Sequence, residues 1–252
     1  MREEIIKELK KIEKEENVKI LLAVESGSRA WGFDSADSDY DVRFIYKREE
    51  KEYLRLDKTK DVIVRPINND LDISGWDISK TLKLLYASNP SLYEWLNSPI
   101  VYKKREPIKE LKKLSKVYFS KIKILNHYYH LASTHYSKFV LDKEKVNLKK
   151  YFYILRSLAS ALYTIENDTV APIEFDVLRN SQFTLEINEI IDELIKIKKE
   201  NNEKKQVIKI EKLNDYIVEN LTEIENYIKQ LAGSEALSYK KLNEFFLKVI
   251  KD

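Results

Sequence analysis

Glycine is scarce and unevenly placed. Of 4 glycines in 252 residues, Gly27, Gly32 and Gly75 lie in the first third, and Gly233 follows far behind. Glycine supplies the backbone freedom that tight turns and close strand crossings require, so a turn-rich sheet is expected early and long helices after it. The periodicity agrees. Ile5, Ile6, Leu9 and Ile12 recur at helical spacing, predicting a first helix of about four turns. The period then changes. Val18 to Val24 (VKILLAV), Tyr40 to Tyr46 (YDVRFIY) and Asp61 to Arg65 (DVIVR) read as strands, and Asn68-Asn69-Asp70 as a turn leading into a returning strand over Leu71 to Ser74. Gly75-Trp76-Asp77 is expected to end that strand, with Asp77 capping a helix from Ile78 that uses Leu82, Leu85 and Tyr86 before Asn89-Pro90 interrupts it.

Beyond that point the chain reads as helix. Ser115 to Leu141, Asn147 to Asn167, Glu186 to Asn201, Ile208 to Leu231 and Tyr239 to Val249 repeat apolar residues three and four apart. Gly233 is placed as a helix C-cap. KKENNEKKQ, at 198 to 206, is a solvated helix end or loop. The segment SPIVYKKREP, at 98 to 107, has two prolines around a basic patch and marks the expected boundary. The expected fold class is α+β: a mixed sheet with helices over residues 1–105, then an all-α domain over 106–252.

Composition limits the chemistry. With 43% hydrophobic residues the chain can build a sizeable core. Lys+Arg 45 against Asp+Glu 42 leaves +3, so net charge does not itself predict nucleic-acid binding. Cys 0 excludes a disulfide framework, a thiol nucleophile and a cysteine zinc site. No signal peptide or uninterrupted apolar run of membrane-spanning length is visible, and a cytoplasmic protein without membrane association is expected.

The chemistry concentrates in Ser26 to Tyr46, SGSRAWGFDSADSDYDVRFIY. On an extended chain Tyr40, Val42 and Phe44 share one face, while Asp39, Asp41 and Arg43 share the other. Neighbouring carboxylates repel unless protonated or neutralised, and a hard divalent cation is their usual neutraliser. Magnesium is the first choice. Gly27-Ser28, just after an apolar strand, can turn tightly and offer amides and a hydroxyl to an anion. Aspartates and a serine before a strand are also ordinary polar-loop and capping chemistry; what favours a site is the order of strand, Gly-Ser, spacer, Asp-x-Asp strand and a later strand with a further aspartate.

That order resembles the nucleotidyltransferase signature of the DNA polymerase β superfamily. With LDISGWDISKTLKLLYASNPSLYEWLNSPIVY and KKYFYILRSLASALYTIEND followed by APIEFDVL, the chain resembles RlaP-type nucleotidyltransferases, associated with RNA repair, over about residues 20 to 180. The resemblance implies a polymerase-β-like nucleotidyltransferase domain over 1–105, with a helical domain closing the nucleotide and acceptor cleft. It implies that Asp39 and Asp41 hold two magnesium ions, manganese being the alternative, and that a third carboxylate completes the site. Asp72 is the candidate, since it alternates with Leu71 and Ile73; Asp77 is better explained as a cap and Asp70 as a turn residue. Ser28 and the Gly27 to Arg29 amides would hold the nucleotide's terminal phosphates, with Arg29 adding a contact or else being solvated or paired with Asp34 or Asp37.

On the predicted helix over 147 to 167, Lys149, Tyr153 and Arg156 share a face suited to a triphosphate and a base, or to plain solvent. Lys80 is a further cation, or a partner of Asp77 or Glu94. His127, His130 and His135 are spaced poorly for zinc, and Trp31, Trp76 and Trp95 read as packing residues, with Trp31 also able to stack on a base. The expected activity is metal-dependent transfer of a nucleoside monophosphate from an NTP to an RNA 3′ end, such as that of a tRNA. The alternatives are nucleotidylation of a protein or small-molecule hydroxyl, and a non-catalytic nucleotide- or RNA-binding module.

Overall fold

A computed structural model describes residues 1–35, 37–57, 59–66, 70–200, 205–231 and 237–251. The expected Asn68-Asn69 turn, the middle of KKENNEKKQ and the Gly233 cap lie outside the described residues. The chain divides into two compact units: Met1–Ala30 with Asp39–Phe119 and Ala236–Asp252, and Trp31–Ser38 with Ser120–Glu235.

The first unit starts with α1 (Arg2–Glu15), whose Ile5, Leu9 and Ile12 are buried. Strand β1 (Lys19–Ser26) leads into the short helix α2 (Gly27–Trp31), then β2 (Tyr40–Lys47), α3 (Glu50–Tyr53), β3 (Val62–Val64) and β4 (Leu71–Asp77). α4 (Ile78–Tyr86), α5 (Pro90–Asn97), β5 (Val101–Lys104) and α6 (Pro107–Val117) follow. Among the described residues the strands form a five-stranded sheet in the order β3-β4-β2-β1-β5. β2 and β4 run parallel; β1 with β2, β1 with β5 and β3 with β4 are antiparallel. One face of this sheet and α1 form a core containing Val42, Phe44, Leu71 and Ile73, as alternation on an amphipathic strand requires.

Strand β4 does not end at Gly75. It continues through Trp76 to Asp77, because Gly75 and Trp76 are paired on both sides, with Phe44 and Ile45 of β2 and with Ile63 and Val62 of β3. A Cβ on Gly75 would lie 2.2 Å from a Phe44 ring carbon. Glycine is there to admit an aromatic ring against the backbone, not to break the strand. Asp77 does cap α4, accepting from the Ser79 amide at 2.8 Å. Asn89 caps α5, with Pro90 in its first turn.

The second unit holds α7 (Lys121–Phe139), β6 (Lys145–Asn147), α8 (Leu148–Asn167), α9 (Phe175–Gln182), α10 (Leu185–Glu200), β7 (Gln206–Ile208) and α11 (Glu211–Gln230). α8 is its centre. Twelve of its positions, Leu148 through Thr164, are buried, and it packs against α7, α9 and α11. The Trp31–Ser38 segment belongs here through Phe33, whose ring stacks on Phe152 with centroids 5.0 Å apart. The chain re-enters the first unit in α12 (Lys240–Lys251), which buries Leu242, Phe245, Val249 and Ile250.

These units differ from a single boundary near residue 105. α6 packs on β1 and α5, and α12 on α4 and α6, so both extend the sheet unit. The proline-flanked segment expected to mark the boundary contains β5, an edge strand whose Val101 pairs with Val24. Its lysines and flanking prolines are characteristic of sheet edges as well as of linkers. The small β6–β7 ribbon, with Val146 opposite Val207, and the helix α9 were not anticipated either.

Candidate active site

β1 ends at Ser26, opposite Asp41 of β2, and the chain turns at Gly27 with φ +63. That conformation is strained for any residue with a side chain. A Cβ at Gly27 would lie 2.0 Å from Asp41 Oδ2. The glycine therefore serves twice: it makes the turn and leaves the space that the Asp41 carboxylate fills. Ser28 follows, 6% exposed. Arg29 lies over the Tyr40 ring, 3.9 Å from its centroid, and donates from Nε to the Asp39 carbonyl at 3.2 Å.

Parallel pairing sets the next feature. Asp41 of β2 stands opposite Asp72 of β4, so their side chains leave the sheet on the same face. Between them lies Arg43. Its Nη2 donates to Asp41 Oδ1 at 2.8 Å and to Asp72 Oδ2 at 2.7 Å. Its Nη1 donates to the carbonyls of Asp72 at 3.1 Å and Val42 at 3.2 Å. Two carboxylates from strands joined by a long connection thus meet at one cationic group, as the alternation of Leu71, Asp72 and Ile73 suggests. Asp39 precedes β2, and among the described residues no three His, Asp or Glu side chains gather in a group that could hold a metal ion. The structure brings Asp41 and Asp72 together but does not add Asp39 to them.

Two residues behind this pair were not read from the sequence. Glu25, 1% exposed on β1, accepts from the Asp41 amide at 2.7 Å. Its other oxygen accepts a hydrogen bond from the Tyr102 hydroxyl on β5. Burial pushes the Glu25 carboxyl above its ordinary range, against the pull of those two donors; burial likewise raises the Tyr102 hydroxyl. Glu25 was legible in principle as a lone acid in an otherwise apolar strand. Tyr102 became relevant only once β5 was seen to join the sheet.

The other candidates are placed as follows. Asp77 is committed to its cap and to the Tyr53 hydroxyl at 2.8 Å. Asp70 lies in a turn, and Lys80 pairs with Asp61 at 3.5 Å, not with Asp77 or Glu94. Trp76 stacks on Trp95, centroids 3.7 Å apart.

In the helical unit, the Arg156 guanidinium sits 4.2 Å from the Trp31 ring centroid and the residue is 5% exposed. It is packed on an aromatic face, not spread along a solvated one. Tyr153 meets Trp31 edge-on at 5.6 Å, with Lys149 at 6.0 Å and Lys150 at 5.5 Å from its ring. Lys149, Tyr153 and Arg156 thus share one neighbourhood, joined by Trp31 and Lys150. His135 lies 6.0 Å from Tyr153 and 5.6 Å from Phe139, and burial, with Lys150 and Lys138 nearby, lowers its pKa.

The donor chemistry of the Asp41–Asp72 pair fits a hard divalent cation. Both aspartates offer carboxylate oxygens to a single cationic nitrogen, and such cations favour oxygen ligands. The glycine turn lies against this carboxylate pair on a mixed sheet, and the chain's family marks it as a nucleotidyltransferase. The chain belongs to the RlaP family, described as the RNA repair pathway DNA polymerase beta family, which it matches over residues 1–248. It is 37% identical over 254 residues to the uncharacterized protein YcgL of Bacillus subtilis (strain 168), covering 100% of this chain and 97% of that protein. Among solved structures it is similar to a nucleotidyltransferase-like protein from Exiguobacterium sibiricum 255-15, with a TM-score of 0.34 and 12% identity over 89% of this chain and 74% of the other.

Proposed function

We propose that this nucleotidyltransferase transfers a nucleoside monophosphate from an NTP to the 3′-hydroxyl of an RNA, such as a tRNA, and releases pyrophosphate. The observation that carries the reading is the register of β2 on β4, which sets Asp41 beside Asp72 on one face of the sheet. Asp39, at the entrance to β2, is assigned to the same site. Magnesium held by Asp39, Asp41 and Asp72, as two ions and with manganese as substitute, would activate the acceptor hydroxyl and offset charge on the departing pyrophosphate.

The remaining work falls to the chain's own groups. The acceptor oxygen forms a bond to the α-phosphorus as the bond to the bridging oxygen breaks, and the electron pair leaves with pyrophosphate. Asp72 is assigned to take the hydroxyl proton. Ser28 and the amides of Gly27 to Arg29 would hold the terminal phosphates, with the Arg29 side chain as a charge-assisted donor. Lys149, Tyr153 and Arg156 are assigned to the nucleotide, and the Lys149, Lys150 and Tyr153 neighbourhood suits a base flanked by phosphate. The family's description supports RNA as the acceptor.

The test offers each α-labelled NTP with magnesium to the protein together with total RNA, tRNA or protein acceptors. Label on RNA 3′ ends, lost in an Asp39→Asn/Asp41→Asn double variant, is the expected result. Label on protein or a small molecule alone would move the acceptor to that class, and binding of nucleotide without any transfer would make the chain a binding module.

A further inference from the structure

We propose that Arg43 is a positioning residue that holds Asp41 and Asp72 together when no divalent cation is bound, and that it competes with that cation for their oxygens. The inference rests on the nucleotidyl-transfer reading and assigns a role to a side chain that reading leaves unused. Three observations carry it. One nitrogen of Arg43 donates to both carboxylates, at 2.8 and 2.7 Å. A second nitrogen is tied to two backbone carbonyls, so the guanidinium is held in place by four acceptors. Its side chain is 18% exposed and each aspartate 28%, which sets the cluster apart from a surface ion pair that solvent screens and side-chain motion dissolves.

The chemistry then forces a choice. Strands in a sheet lie about 4.8 Å apart, so Asp41 and Asp72, facing each other across β2 and β4, repel when nothing positive separates them. The guanidinium supplies that charge without an ion. A divalent cation drawn to the same oxygens, at about 2.1 Å for magnesium, meets a like charge already hydrogen-bonded to them. One must give way, so Arg43 keeps the pair assembled and lowers its affinity for metal. A lysine could supply the charge but not the fork that spans two carboxylates and two carbonyls at once.

Calorimetric titration of the full chain with manganese tests this, with Arg43→Gln and Arg43→Lys beside the unaltered protein and Asp41→Asn and Asp72→Asn as site controls. Arg43→Gln is expected to bind manganese about tenfold more tightly, for removal of one neighbouring positive charge, and Arg43→Lys to fall between. The melting temperature of metal-free Arg43→Gln should drop and recover on adding manganese. Unchanged or weaker binding in Arg43→Gln, with binding still lost in Asp41→Asn and Asp72→Asn, would overturn the competition while leaving the site reading intact. Equal binding in the unaltered protein and both aspartate variants, or none, would overturn both. A variant-free measurement covers misfolding: the Nε–H resonance of Arg43 should move as magnesium saturates the unaltered protein, and a resonance that stays fixed through saturation rules the competition out.

Discussion

The charged cluster on the sheet and the charged residues packed within the helical unit are handled in opposite ways. On the sheet, Asp41 and Asp72 are partly exposed and share Arg43, so the excess charge is negative and faces outward. In the helical unit it is cations that are drawn inward. Arg156 is 5% exposed over Trp31, and Lys198 is 2% exposed, 5.7 Å from the Phe33 ring centroid and 3.4 Å from Ser35 Oγ. The lesson is that position within a sequence pattern does not fix a charged residue's job. A strand sends alternate side chains to one face whatever they are, so the sheet acids fall where register puts them. Arg156 lies on the side of α8 that is turned into the bundle, so it has to be packed.

The largest expected effect is on the acidic side. Asp41→Asn or Asp72→Asn should each lower nucleotidyl transfer by about a thousandfold or more. Stability should move by only about 0 to 1 kcal/mol, because either change also removes the repulsion between the two carboxylates and leaves Arg43 one partner. A collapse of the melting temperature with either variant would make the acids structural and erase the contrast between the units.

Gly27→Ala comes next. Positive φ and the absence of room beside Asp41 Oδ2 predict a loss of about 1 to 3 kcal/mol and, with Asp41 displaced, activity lower by about a hundredfold. Wild-type rates in this variant would show that the carboxylate's seat against the turn is unimportant.

Arg156→Ala should cost about 2 kcal/mol or more in stability by removing a packed cation from an aromatic face, while manganese affinity at the sheet stays as it was. Altered metal binding would mean the two units are not independent in this respect.

The smallest effect concerns pH. The folded pKa of His135 lies below its ordinary 6.5, chiefly through burial and then through Lys150 and Lys138. Between those two values the unfolded chain takes up the proton more readily, so stability is full above pH 6.5 and falls as pH drops toward the folded value. His135→Asn should flatten that part of a melting-temperature profile, and an unchanged slope would assign the dependence to other groups.

Much of the sheet was readable because its signals are local. Period-two alternation set Asp41 with Arg43 on one side of β2 and Val42 with Phe44 on the other, and the same alternation singled out Asp72. Register between strands is not local, and the Asp41–Arg43–Asp72 bridge appears only when β2 and β4 are aligned. Gly75 was misread because a glycine that ends a strand and one that admits a neighbour's ring look alike until Phe44 is seen against it. β5 was hidden for a related reason, since an edge strand's lysines and prolines imitate a linker. The return of α12 to the first unit left no mark in sequence: amphipathicity says that a helix has a partner, not which one. Arg156 was placed on the right helix with Lys149 and Tyr153, but its burial depended on Trp31, more than a hundred residues earlier.

The most direct measurement is an anomalous difference map from crystals grown with manganese and a non-hydrolysable NTP analogue. Manganese peaks ligated by Asp41 and Asp72, with the analogue's phosphates beside Gly27 and Ser28, are the predicted result. Bound analogue with manganese elsewhere, and with Asp41 and Asp72 still closed on Arg43, would contradict it.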